Sequence, residues 1–270
     1  MQKLLSPMRK CIRDYQMLSP GDRVAAGVSG GKDSLALLRL LAELREHSSV
    51  PFELMAVTLD LGYEEMDFSP VADLCAQLQV PYTIQKTQIR EIIFDIRKEE
   101  NPCALCAKMR RGILNDAALT LGANKVALGH HYDDAIETFM LSMIYEGRIS
   151  SFLPVTYMDR TGLTLIRPML YLHEKTIRNF VERENLPVVH IPYEKCLDAD
   201  FSEVVRAQLH RVDSANGVLY LEGLPQMDYA LLTAVASGLG ALPQEPLMIC
   251  MERDFGKALG QKNAPGFPGA

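Results

Sequence analysis

"VSGGKDS", residues 28–34, ends the apolar run RVAAGVS and opens a segment with Leu35, Leu37, Leu38, Leu41 and Leu44 at helical spacing. The run Arg23–Ser29 reads as a buried strand, and the leucine period over Asp33–His47 reads as a helix. Glycines at the junction let the backbone approach a ligand with no Cβ in the way. Gly30 and Gly31 can adopt positive φ, and the amides of Gly31, Lys32 and Asp33 would then point into one concavity. The helix N-terminus adds partial positive charge, and such a nest binds an anion, phosphate first of all. The spacing is not that of the Walker loop, which has four residues between its first glycine and Gly-Lys, nor is it G-x-G-x-x-G. A plainer reading keeps the turn as a connection in which Ser29 or Ser34 only caps the helix.

Outward from that turn, the chain alternates. Phe52–Asp60 (FELMAVTLD) is a second strand, and Asp67–Gln79 is a helix with Pro70 in its first turn. Pro81–Lys86 is a third strand, followed by a helix over Cys103–Leu121 closed by Gly122. Lys125–Leu128 is a fourth strand, and Asp133–Tyr145 is a helix stopped by Gly147. Leu163–Arg167 is a fifth strand, and Leu172–Glu184 is an amphipathic helix with Pro187 beyond it. This alternation predicts an α/β fold: a Rossmann-like open parallel sheet with helices on both faces. Ligands in such sheets sit outside the carboxyl ends of the strands. Ser29–Ser34, Asp60–Tyr63 and Gly129–Asp134 all fall there. The expected organisation is an N-terminal segment 1–19, a nucleotide-binding domain 20–196, a small, mostly helical extension 197–259 and a disordered Gly/Pro/Ala-rich tail 260–270.

Composition bounds the function. The 270 residues are 48% hydrophobic and 23% charged, as in ordinary globular proteins. The net charge of −6 excludes a chain coated in positive charge for general nucleic-acid binding, though not a local basic patch. No apolar run reaches the ~20 residues of a membrane span, and Met1–Arg13 is too charged for a signal peptide. A cytoplasmic location without membrane contact is expected. Of six cysteines only Cys103 and Cys106 are close, which is not a secreted disulfide framework.

Two further stretches carry chemistry. In "NPCALCAKMRRGIL" Cys103 and Cys106 begin a helix, and residues three apart share a face. A helix N-terminus lowers thiol pKa, so the pair suits a metal centre; two thiols buried in a core are the alternative. In "ALGHHYDDAIETFMLSMIYEG", residues 127–147, Asp133, Asp134 and Glu137 open a helix after a strand. Simple dipole capping explains acids there. Two histidines and two acids beside a phosphate site also suit Mg²⁺ or substrate.

Taken in order, S-G-G-K-D-S, C-x-x-C followed by Arg-Arg-Gly, and G-H-H-x-D-D resemble the pyrophosphate-loop (PP-loop) ATPases, in the tRNA 2-thiocytidine synthetase branch, over roughly Pro20–Cys196. The resemblance implies cleavage of ATP between the α and β phosphates, adenylation of the O2 of a cytidine in a tRNA anticodon loop, and replacement of that oxygen by sulfur. It implies ATP on Ser29, Gly30, Gly31, Lys32, Asp33 and Ser34, with adenine near Ala26, Leu59 and Gly129. Lys32 would neutralise phosphate, Asp33 and Asp134 would hold Mg²⁺, and the Ser29 and Ser34 hydroxyls would donate to phosphate oxygens. Cys103, Cys106 and Cys196 would bind a [4Fe-4S] cluster. The branch carries P-C-x-x-C near Cys196, and Tyr193 stands at the first cysteine position here. Three thiolates leave one iron open for sulfur, whereas zinc would prefer a fourth protein ligand.

tRNA is the implied partner, with a cysteine desulfurase or free sulfide as sulfur donor; a homodimer is compatible. Lys108, Arg110 and Arg111 are the expected RNA contacts, since they follow the cysteine pair. Arg206, Arg211 and the group Lys3, Arg9, Lys10 and Arg13 are further basic candidates, each equally readable as solvated surface. Two other functions stay open: thiolation of a different tRNA base or a small metabolite, and a nucleotide-binding metal-cluster regulator.

Overall fold

The computed structural model describes residues 1–63, 66–98, 102–146, 149–189, 218–221 and 248–251. The chain divides into two compact units, Met1–Ala135 with Phe152–Cys196, and Ile136–Ser151 with Leu197–Ala270. The first holds a six-stranded sheet. In chain order its elements are α1 (Gln2–Asp14), β1 (Asp22–Gly27), α2 (Lys32–His47), β2 (Phe52–Asp60), α3 (Ser69–Gln77), β3 (Tyr82–Lys86), a π-helical turn Glu91–Ile96, α4 (Pro102–Thr120), β4 (Lys125–Ala127), the start of α5 (Tyr132–Glu146), β5 (Val155–Met158), β6 (Leu163–Ile166) and α6 (Glu174–Arg183).

The strand order is β3-β2-β1-β4-β6-β5. The first five of these strands run parallel, and β5 pairs antiparallel with β6. The order reverses between β1 and β4, and the crevice at such a switch point is where open α/β sheets bind ligands. Both loops leaving these strands, Ser29–Gly31 and Gly129–His131, are therefore set at one rim.

Helix α2 buries Leu35, Leu37, Leu38, Leu40, Leu41 and Leu44, so it is apolar on most of its circumference. It packs against β1, β2, α1 and α6. Each such leucine contributes roughly 1.5–3 kcal/mol relative to an exposed one, which anchors the turn preceding α2 on a rigid element. Gly122 ends α4 at φ +71°, as the sequence predicted.

Three features depart from the sequence reading. Residues 2–14 form a helix that buries Leu4, Leu5, Met8 and Cys11 in the main core. Its charged residues masked the apolar stripe. The edge strand β5 was missed because it is short and only half-buried, so no clean alternation marks it. The sheet is consequently mixed at one edge. In the second unit the described residues include two short strands, β7 (Val218–Leu221) and β8 (Met248–Met251), paired in parallel, within the extension expected to be mostly helical. The expected helix Ser202–Val212, the Gly147 stop and the tail 260–270 lie outside the described residues.

Candidate active site

The turn of residues 29–31 joins the central strand β1 to α2. Gly30 sits at φ +89°, and a Cβ there would stand 2.9 Å from Val189 Cβ. Both the backbone and the space demand glycine. Of the two glycines only Gly30 uses positive φ: Gly31 is extended, at φ −73° and ψ 159°, and forms the N-cap of α2 without a side-chain cap bond. The amides of the first turn have no acceptor inside the helix, so Lys32, Asp33 and Ser34 present N–H groups beside a positive dipole end.

The two serines brace this turn. Ser34 Oγ donates to the Gly31 carbonyl at 2.9 Å and accepts from the Ser29 amide at 3.1 Å. Ser29 Oγ donates to Ser34 Oγ at 3.2 Å and accepts from the Gly31 amide at 3.3 Å. The Ser34 proton thus goes into the turn rather than outward. Below it, the Thr58 hydroxyl donates to the Val28 carbonyl, and Tyr82 donates to Thr58 at 2.9 Å. Above it, the Val189 amide donates to the Gly30 carbonyl at 3.0 Å.

Gly129 belongs to the same site for a steric reason. A Cβ on it would meet the Asp33 carbonyl carbon and oxygen at 3.1 and 3.0 Å and the Ser34 nitrogen at 3.2 Å. Glycine lets the β4 rim touch the first turn of α2. Ala26, expected beside adenine, is fully buried within β1, and Leu59 is partly buried between two apolar clusters.

Lys32 Nζ lies 2.8 Å from Asp33 Oδ2 and 3.1 Å from Glu174 Oε1. Burial opposes its charge, but the two carboxylates outweigh that and hold the ammonium above the ordinary lysine value. His131, buried to 1% exposure, stands between acids: Nε2 is 3.7 Å from Asp33 Oδ1, while Nδ1 is 3.7 Å from Asp133 and 3.5 Å from Asp134. Asp134 caps α5 by accepting the His131 amide at 2.8 Å. Asp133 accepts the Glu174 amide at 2.7 Å and so caps α6. Four carboxylates against Lys32 and Arg178 leave the rim acidic, and Asp33 Oδ1 is buried with no hydrogen-bond partner. Such a rim suits phosphates that arrive with a divalent cation, since Mg²⁺ is commonly held by one or two carboxylates plus substrate phosphates. Among the described residues no three metal-ligating side chains converge on one point. His131 falls in the stretch whose two histidines and two acids suited Mg²⁺ or substrate, whereas Glu174 was not singled out from the sequence as a site residue. Glu174 lies inside the segment read as the amphipathic helix Leu172–Glu184, and nothing in one dimension ties it to Lys32.

Cys106, half-buried, packs with Leu105, Met109 and Ile113 of α4 against Leu61, Ile89 and Ile93. Leu61 directly follows β2, so this thiol belongs to the same carboxyl rim as the glycine turn, one strand over. Cys103 lies three residues earlier on α4, on the same helical face. Its side chain and all of Cys196 lie outside the described residues. The chain from Val189, bonded to Gly30, to Cys196 is seven residues and reaches at most ~25 Å. A soft thiolate at this rim fits an iron–sulfur group. Lys108 and Arg111 share an exposed face of α4, and Arg110 is half-buried.

Among known proteins, the PP-loop domain family matches residues 3–193. The tRNA-cytidine(32) 2-sulfurtransferase of Pelobacter propionicus is 37% identical over 209 residues, 77% of this chain and 77% of that one. The protein of the same name from Syntrophotalea carbinolica is 33% identical over 250 residues, 92% of each chain. In structure, the U34-tRNA thiolase NcsA of Methanococcus maripaludis, solved with its [4Fe-4S] cluster, superposes with a TM-score of 0.63 at 25% identity, covering 80% of this chain and 74% of that one. With its glycine turn, its rim of acids and its cysteine helix in that arrangement, the chain belongs to the PP-loop family, in the branch of the tRNA 2-thiocytidine synthetases.

Proposed function

We propose that this chain is an ATP-dependent tRNA-cytidine sulfurtransferase. MgATP rests its β and γ phosphates on the turn of residues 29–34, and Lys32 leaves its carboxylates to neutralise them. Asp33 and Asp134 contribute to holding Mg²⁺. The O2 of a cytidine in the anticodon loop attacks the α phosphorus, and pyrophosphate departs from the open amides of α2. Donors preorganised where charge develops act without reorganisation at the moment of reaction. Sulfur then attacks C2, and AMP leaves carrying the former O2. Cys103, Cys106 and Cys196 are the residues that would hold a [4Fe-4S] cluster, whose chemistry when bound is to present sulfur on the iron without a thiolate.

The observation that carries this reading is the sharing of one rim by the glycine turn and the Cys106 face of α4. Lys108, Arg110 and Arg111 lie on that helix and suit RNA phosphates. Residues 20–196 are the catalytic domain, onto which the N-terminal segment folds; 197–259 are an extension and 260–270 a tail. A cysteine desulfurase or free sulfide supplies sulfur, a homodimer is the expected assembly, and the reaction places the protein in the cytoplasm. Among the described residues no helix is long and apolar enough to cross a membrane.

The test is anaerobic reconstitution with iron and sulfide, then incubation with ATP, Mg²⁺, sulfide and a tRNA transcript. Mass spectrometry of the digested nucleosides is expected to show 2-thiocytidine, with AMP and pyrophosphate in equal amounts. The likeness to a U34-tRNA thiolase supports one second reading, thiolation of another base, and a 2-thiouridine product would select it. No thiolated nucleoside at all would overturn both.

A further inference from the structure

β4 and β6 are neighbouring parallel strands, and each delivers a polar side chain just past its carboxyl end: His130 and Arg167. Phe152 lies against both. The Arg167 guanidinium sits 4.7 Å over its ring, and the His130 ring is 4.9 Å from it. Arg167 Nη1 donates to the Leu153 carbonyl and lies 3.5 Å from Thr156 Oγ1. These contacts hold the guanidinium in one orientation.

Among the described residues it meets no counter-charge. Lys32, Lys125 and Arg39, the other partly buried cations of this unit with ion pairs, face Asp33 and Glu174, Asp22, and Glu43 respectively. Among the described residues no carboxylate stands within ion-pair distance of Arg167. Among the described residues Arg167 Nε and His130 Nδ1, both buried, have no hydrogen-bond partner. Loss of solvation pushes the guanidinium down to about 10. Burial, then the charge of Arg167, lowers His130 as well, so the imidazole stays neutral and does not compete with the guanidinium for an anion. A partly buried cation without a counter-charge is costly, and a bound ion is one explanation for orphaned polar groups in one cluster. An incoming anion supplies what both lack.

The position selects the anion. β6 is two strands from β1, so this cluster is about 10 Å along the rim from the glycine turn. That is beyond phosphates cradled by the turn, on the opposite side of β1 from Leu61 and the Cys106 face of α4, so an RNA strand bound here passes the turn on its way to the thiol. Leu153 and Tyr157, 63% and 62% exposed, flank the Arg167 contacts with apolar surface suited to a ribose or base rather than a free ion.

We propose that Arg167, with His130 beside it, is a subsite for one phosphodiester of the RNA strand, which sets the target nucleotide opposite the glycine turn. This rests on the sulfurtransferase reading. A phosphate could also come from ATP, and the test separates the two. Dissociation constants are measured for wild type, Arg167→Gln and Arg167→Lys with an unmodified tRNA transcript over a range of salt, and separately with MgATP. Arg167→Gln is expected to weaken tRNA binding about tenfold and to reduce the salt slope by ~0.7, the value of one phosphate contact on a single strand. MgATP affinity should not change, and Arg167→Lys, keeping charge but losing the fork, should recover part of the affinity and the slope. A fall in MgATP affinity with unchanged tRNA binding would assign the site to the nucleotide and overturn the proposal. Unchanged binding of both would also overturn it. If Arg167→Gln does not fold, Arg167→Lys decides: no loss of tRNA affinity with that variant overturns the proposal. A wild-type chain that binds no tRNA would instead refute the sulfurtransferase reading itself.

Discussion

Single residues carry the site's tightest constraints, and Gly129 shows why. Its missing Cβ lets two rims touch at backbone atoms that cannot yield. Gly129→Ala should cost about 1–3 kcal/mol of stability and weaken MgATP binding, read by urea unfolding and calorimetry. Lys32→Ala should weaken MgATP binding by roughly ten- to hundredfold, since a hydrogen bond to a charged group contributes about 1.5–3 kcal/mol. The cysteines divide sharply. Burial pushes Cys11 and Cys75 each up to about 11, so neither thiolate is present at neutral pH. Both should resist iodoacetamide at pH 7.5 in the folded protein and react only on unfolding, as followed by mass spectrometry; the half-buried Cys106 should react before either of them. The motif residues Ser29–Ser34 were legible in the sequence because a strand–glycine–helix junction is a local event. The brace from Thr58 and the contact from Val189 were not, because each comes from a distant segment.

Elements meet at two ends of the sheet for different purposes. At the amino end, Asp22 of β1 pairs with Lys125 of β4 at 2.8 Å and accepts from the Ser19 amide and Asn124. Burial opposes its ionisation, but these partners outweigh burial and hold the carboxyl below its ordinary value. A carboxyl depressed in the folded state binds its proton more weakly there than in the unfolded chain. Its contribution is therefore complete above the unfolded value of ~3.9 and is lost as pH falls through the folded one. Asp22→Asn should cost about 1–3 kcal/mol at pH 7, and the gap to wild type should persist down to the unfolded value of ~3.9 and narrow as pH falls below it in stepped urea melts. At the carboxyl end, Asp133 caps α6 while Glu174 of α6 holds Lys32 of α2, so three helix starts share one electrostatic network. The helices and central strands were legible from periodicity. The edge strand β5 and helix α1 were not, since half-burial and dense charge hide the period that burial imposes.

At the scale of the whole molecule, the proposed sulfur transfer has three thiolates act as one centre. Cys103→Ala, Cys106→Ala and Cys196→Ala should each lose iron on anaerobic reconstitution, measured by iron content and visible absorbance. Retention of a full iron load by Cys196→Ala would remove Cys196 from the ligand set. The sequence by itself determined the fold class, the family and the identity of the glycine turn and cysteine helix, because each is written in residues adjacent along the chain and in a period that local geometry enforces. Only the tertiary structure decided that Glu174 answers Lys32, that His131 stands among three aspartates, and that Arg167 lies at the rim without a counter-charge among the described residues. Those relations join segments up to more than a hundred residues apart, and charge acts through space across a folded interior rather than along the chain.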